Sequence, residues 1–193
     1  MEHEVLQSPG EQTSKGQRIT VPAEVFPYSA GIVGGMIAGV FMAVAMAGWG
    51  GLTGMGVWFP VNLIAATVLR DLQSESLQML AQFYPAGAVV GTLIHLGLSI
   101  TLGFIFAMLL PTLPGPAFLW ALVIGPTLWF IAQYLGLPLV NPRMEALVHI
   151  PSFAVSHIIY SLILGLFISR VTKIECCDPG TVGIRHMILG HGR

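Results

Sequence analysis

The chain has 193 residues, of which 54% are hydrophobic and 9% charged, with a formal net charge of −1. Soluble domains carry roughly a quarter charged residues, and a soluble fold this short leaves too much of its surface exposed to hide so much apolar area. The bilayer is therefore the natural solvent, and the near-neutral charge argues against nucleic acid, which needs a basic footprint.

In chain order, residues 1–27 are polar and mixed in charge (Glu2, Glu4, Glu11, Lys15, Arg18, Glu24). No apolar core follows a basic start, so the segment reads as a flexible tail rather than a signal peptide. Four apolar stretches then reach the roughly 20 residues that a membrane-spanning helix needs: Tyr28–Ala47, Pro85–Leu110, Ala117–Leu137 and Ile150–Ser169. The expected fold is an all-α integral membrane four-helix bundle over residues 28–170, with a second tail at 171–193. Pro151 fits the first turn of the fourth span, where its missing N–H costs little.

The connections differ in character. Val57–Leu69 is apolar but too short to span, follows a glycine-rich stretch and carries Pro60. It is expected to be a re-entrant or interfacial half-helix, stable at depth only if protein covers it. In Asp71–Tyr84, residues Leu77, Leu80, Ala81 and Tyr84 share one helical face, which predicts an amphipathic helix on the membrane surface. Spans two and three are joined by the short Pro111–Pro116 link. Before span four, Asn141 as N-cap and Pro142 at the first helical position predict a helix start.

Orientation follows from the basic residues. Lys15, Arg18, Arg170, Lys173, Arg185 and Arg193 flank the bundle on the side of the termini, and only Arg70 and Arg143 lie on the other. This asymmetry places both termini in the cytoplasm. Trp49, Trp58, Trp120 and Trp129 fall mostly near span ends, as an aromatic belt would.

Small residues recur every fourth position. Span one carries Gly31, Gly35, Gly39, Ala43 and Ala47; span two carries Gly87, Gly91, His95, Ser99, Gly103 and Ala107; span four carries His157, Ser161, Gly165 and Ser169. Such ladders let helix backbones touch in lipid. The unit His95-x-x-x-Ser99-x-x-x-Gly103 matches His157-x-x-x-Ser161-x-x-x-Gly165, and an Asn just after a Pro (Pro60/Asn62, Pro138/Asn141) precedes each. The match suggests a two-span duplication of the kind found in transporters and channels, against the plainer reading of coincidence among residues common in spans.

His95 lies near mid-membrane, where ionisable groups face protein or water. His95 and His157 on facing helices could ligate a haem iron, or hold copper or zinc. A hydrogen bond between helices is the commoner role, and no carboxylate lies in any span to serve as a supporting acceptor. Glu145 and His149, one turn apart, and the tail residues Cys176, Cys177, His186 and His191 are weaker metal candidates, since the tail lacks a Cys-x-x-Cys clip. The adjacent cysteines are expected to be free thiols. No phosphate-binding loop, nucleophile elbow or His-Glu-x-x-His motif occurs, and Asn141-Pro142-Arg143 departs from the aquaporin signature at its third residue.

The run Gly34–Ala43, with the His95 and His157 spans, resembles small bacterial membrane proteins grouped only as domains of unknown function. The resemblance covers about residues 30–170 and implies a four-helix membrane fold and no activity; the expected location is a bacterial inner membrane. The expected role is a non-catalytic accessory subunit whose small-residue faces pack on partner helices of a larger, respiratory or other energy-converting complex, or on further copies of itself. The alternatives are a haem or metal carrier using His95 and His157, and an oligomeric channel or small-solute transporter.

Overall fold

The computed structural model describes residues 24–175. Four helices in it are long and apolar enough to cross a membrane. The first, α1 (Tyr28–Leu52), runs five residues beyond the expected end. It takes in Gly48, Gly50 and Gly51 before Thr53 closes it with a 2.8 Å hydrogen bond to the Trp49 carbonyl. A turn follows in which Gly54 and Gly56 adopt φ of +76° and +94°, a conformation that glycine takes without the Cβ clash of other residues.

Val57–Leu69 contains the half-helix α2 (Phe59–Ala65), with Pro60 in its first turn. Phe59, Asn62, Leu63, Ala65 and Ala66 are buried, so protein covers one face of the segment, while Val57, Trp58 and Val68 are exposed. The predicted amphipathic helix over Asp71–Tyr84 does not form. A 3₁₀ turn (Arg70–Gln73) and one helical turn, α3 (Leu77–Leu80), replace it. The break has two causes. Ser76 is extended and caps α3 by accepting from the Met79 N–H. Downstream, the Asn62 side-chain amide donates to the Leu80 and Gln82 carbonyls, both at 2.9 Å. Those oxygens are thus held by a buried side chain, and Leu80 is fully buried where a surface helix would expose one face.

Span two is α4 (Pro85–Leu109), which tightens into a 3₁₀ turn at Leu110–Thr112. Span three begins as α5 (Ala117–Ile131), widens into a π-turn (Ala132–Gly136) and ends as α6 (Leu137–Val140), three residues past the expected limit. Pro138 has no N–H to offer the carbonyl of Tyr134 four residues earlier, which favours the slip in register. Within this stretch Trp129 Nε1 and Gln133 Oε1 are buried without a hydrogen-bond partner among the described residues. Asn141 starts α7 (Pro142–Leu147) as expected, accepting from the Met144 N–H at 3.0 Å. Span four is α8 (Ile150–Ser169), with Pro151 in its first turn.

The close helix pairs are α1–α4, α1–α8 and α5–α8. The ladders explain the first and third. A Cβ on Gly31 would lie 2.6 Å from the Gly103 carbonyl oxygen, and one on Gly35 would lie 2.5 Å from that of Ser99. A Cβ on Gly39 would meet the Ser99 side chain at 2.6 Å. In the other hairpin, a Cβ on Gly165 would sit 2.5 Å from that of Ala121, and one on Gly125 would strike the Ser161 hydroxyl. Ser99 therefore meets Gly39 as Ser161 meets Gly125, and Gly103 meets Gly35 as Gly165 meets Ala121. The two hairpins pack alike at the matched positions. Small-residue faces expected to reach partner chains are thus used inside this one.

The end of the bundle carrying α2 and α7 is tied by polar side chains. Asn141, fully buried, donates to the Leu63 carbonyl at 2.7 Å and to the Thr67 hydroxyl at 2.9 Å. Arg70 donates to the Val140 carbonyl, and Arg143 donates to that of Glu75. At the opposite end, Glu24–Val25 (β1) pairs antiparallel with Ile174–Glu175 (β2), and Lys173 lies 3.5 Å from Glu24. The segments before span one and after span four therefore lie on the same side.

Candidate ligand-binding site

Above Gly39 the ladders part company. The next small residues of span two, Gly91 and Gly87, face α2 instead of span one: a Cβ on Gly91 would strike the Val61 carbonyl, and one on Gly87 the Asn62 side chain. The half-helix thus holds α4 away from the upper part of α1. Ala43 and Ala47 continue the ladder of span one along the cavity wall, and Ala43 is exposed. Ala43, expected as a packing residue, therefore meets no second backbone among the described residues of this chain, unlike Gly31, Gly35 and Gly39.

The space left is a cavity of about 290 Å³. Its walls are the Val40–Gly50 part of α1, the face of α2, one turn of α4 around His95, and the α7–α8 junction. The lining is apolar and rich in methionine (Met42, Met46, Met55, Met144), with Trp49, Trp58 and Phe59 adding aromatic surface. Methionine fills irregular space and adapts to what it meets. Among the described residues no lysine, arginine, aspartate or glutamate lines the cavity; its polar side chains are Thr92, His95, His149 and Ser152, apart from the indole N–H groups.

His95 is fixed across helices, its Nε2 lying 2.8 Å from the Gly39 carbonyl oxygen. A carbonyl only accepts, so Nε2 carries the proton, and in a neutral ring Nδ1 is left as an acceptor. Thr92, one turn earlier, behaves unlike its counterparts. Thr53, Thr101 and Thr127 each donate to the carbonyl four residues back, whereas the Thr92 hydroxyl has no hydrogen-bond partner among the described residues. Near the α8 start, the His149 ring stacks on Trp49 (centroids 5.0 Å apart, planes 18° apart), and its Nδ1 accepts from the Ser152 N–H. The same pair lines a second cavity of about 290 Å³ between α1 and α8.

His157 is not part of this site. Its Nδ1 donates to the Phe153 carbonyl of its own helix at 2.8 Å, and its ring stands edge-on to Phe153. Spans two and four do not pack on one another through their ladders, which pair with spans one and three instead. They touch where the Tyr160 hydroxyl donates to the Ser99 carbonyl at 2.6 Å. The two hairpins differ here for a sequence reason. Their common register, carried one turn further, sets His95 level with Ala43 but His157 level with Trp129, so the bulk of an indole stands where the first hairpin is open. Glu145 lies in α7 whereas His149 is the extended residue that caps α8, and among the described residues no three His, Cys, Asp or Glu side chains gather as a metal site. The cysteine and histidine candidates of the C-terminal tail lie outside the described residues.

Sequence reasoning found His95 but missed Thr92 and the methionines. The signals were the Thr92-x-x-His95 spacing and the Met42-x-x-x-Met46 pair, both on single helix faces. No protein-family model, curated protein or solved structure matches the chain.

Proposed function

We propose that this multi-pass membrane protein is non-catalytic and acts by holding a lipophilic molecule in the cavity beside His95. The observation that carries the reading is the cavity itself: an apolar, methionine-rich pocket with a few polar groups and no charge is the usual form of a small-molecule site. The matched packing of the two hairpins supports a duplicated architecture, in which the first hairpin is open beside His95 and the α7–α8 junction of the second half completes the cavity wall. Ala43→Trp tests the proposal, because an indole at that position fills the cavity from the α1 wall without touching the Gly31–Gly39 contacts. Purified wild-type protein should carry co-extracted lipophile detectable by native mass measurement, and Ala43→Trp should lose it. Equal retention by both would refute the cavity as the site.

An accessory subunit of a bacterial inner-membrane complex is a second reading. It draws on span three, whose most apolar window is 17% buried against 44% for span four. That surface is available to a neighbouring chain, to another copy or to lipid. Native mass determination after mild extraction separates these: a hetero-complex supports the subunit reading and a lone monomer opposes it. Haem ligation by His95 and His157 would use the ring nitrogens that their carbonyl bonds leave free, Nδ1 of His95 and Nε2 of His157. A Soret band lost in His95→Ala and in His157→Ala would establish it.

A further inference from the structure

Which lipophile the cavity selects is written in its polar lining. Resting on the cavity reading above, we infer that the site recognises a neutral lipophile bearing a hydroxyl group, bound at the Thr92–His95 face of α4. Three observations converge. The absence of charged side chains from the lining among the described residues leaves an anionic or cationic head without a counter-ion, and a lone charge in an apolar pocket is costly. His95 donates through Nε2 to Gly39, so in a neutral ring the nitrogen it has left, Nδ1, is a free acceptor. Thr92, one helical turn away and so about 5–6 Å between Cβ atoms, holds an uncommitted hydroxyl able to donate.

A ligand hydroxyl answers both groups, donating to Nδ1 and accepting from Thr92 Oγ1. An ether or a ketone answers only Thr92, and leaves Nδ1 unpaired in an apolar wall. The aliphatic body then lies along Met42, Met46 and Phe59, where flexible thioethers fit a branched or unsaturated chain. Prenols, sterol-like alcohols, acylglycerols and quinols share this chemistry; phospholipids, fatty acids and quinones do not.

The test uses the full chain in phosphatidylcholine nanodiscs, with the fluorescence of Trp49 and Trp58 as the signal. The probes are farnesol, its methyl ether and oleate. Wild type should bind farnesol about five- to tenfold more tightly than the ether, the scale of one buried hydrogen bond, and oleate no better than the ether. His95→Phe should abolish the preference while both probes still bind. Thr92→Val, which breaks no contact within the protein, should reduce it and guards against a folding defect in the histidine variant. If farnesol and its ether bind wild type equally and Ala43→Trp blocks both, the cavity reading stands and the hydroxyl inference fails. If no probe binds wild type, both fail. If oleate binds best, the inference fails through its charge argument.

Discussion

Asn141 gives the sharpest energetic test, because its amide works in three directions while fully buried. Its Oδ1 accepts from the Met144 N–H, and its Nδ2 donates to the Leu63 carbonyl and the Thr67 hydroxyl. Asn141→Ala removes all three. Losing an N-cap costs about 1 kcal/mol, and interhelical hydrogen bonds in membrane proteins average about 0.6 kcal/mol each. The expected loss is therefore about 2–3 kcal/mol, including some penalty for the unpaired Leu63 oxygen. Asn141→Ser keeps a capping oxygen but is too short to reach α2, so it should recover about 1 kcal/mol of that loss. Reversible unfolding in mixed micelles, followed by circular dichroism, measures both. A loss below about 0.5 kcal/mol for Asn141→Ala, or equal losses for Ala and Ser, would refute the view that this side chain pins α7 to α2.

Four further outcomes follow from the geometry. Gly35→Ala should destabilise, because its Cβ would sit 2.5 Å from the Ser99 carbonyl oxygen, while Gly48→Ala, whose Cβ would meet nothing within 4 Å, should be neutral or stabilising by up to about 1 kcal/mol; the same unfolding assay should rank them so, and a reversed order would deny the ladder its role. Gln133→Leu removes a buried oxygen that has no partner and should leave stability unchanged or raise it by about 1 kcal/mol; a marked loss in thermal denaturation would reveal a partner for that oxygen. Ile37→Leu, off the ladder and roughly volume-conserving, should cost less than about 1.5 kcal/mol, measured beside Gly35→Leu, which should fail to assemble. Reporter fusions after Arg18 and Arg193 should both read cytoplasm, and one within residues 71–84 the opposite side; a cytoplasmic signal there would overturn the four-span topology.

The spans were legible in the sequence because the bilayer imposes a length and an apolarity that can be counted residue by residue. The start of α8 at Ile150 and its end at Ser169 could be read off for that reason. So could the α7 cap at Asn141, since the Asn-Pro pair and its N-cap bond lie within a few residues of chain. The small-residue ladders were visible too, but not their partners. In lipid an apolar side chain carries no mark of whether it faces protein or solvent, so hydropathy says nothing about which helices meet. Only the tertiary structure decided that Gly103 lies on Gly31 and Gly35, that Gly165 lies on Ala121, and that Gly87 and Gly91 turn to α2. The failed amphipathic helix has the same origin: the face formed by Leu77, Leu80 and Tyr84 was real, but a buried amide eighteen residues back in the chain took the Leu80 carbonyl. The cavity was beyond the sequence altogether, because it exists where two helices fail to touch, and a gap has no residue of its own. Its walls come from α1, α2, α4, α7 and α8, and the wedge that opens it is a seven-residue helix whose place is set by two asparagines bonding to backbone far along the chain.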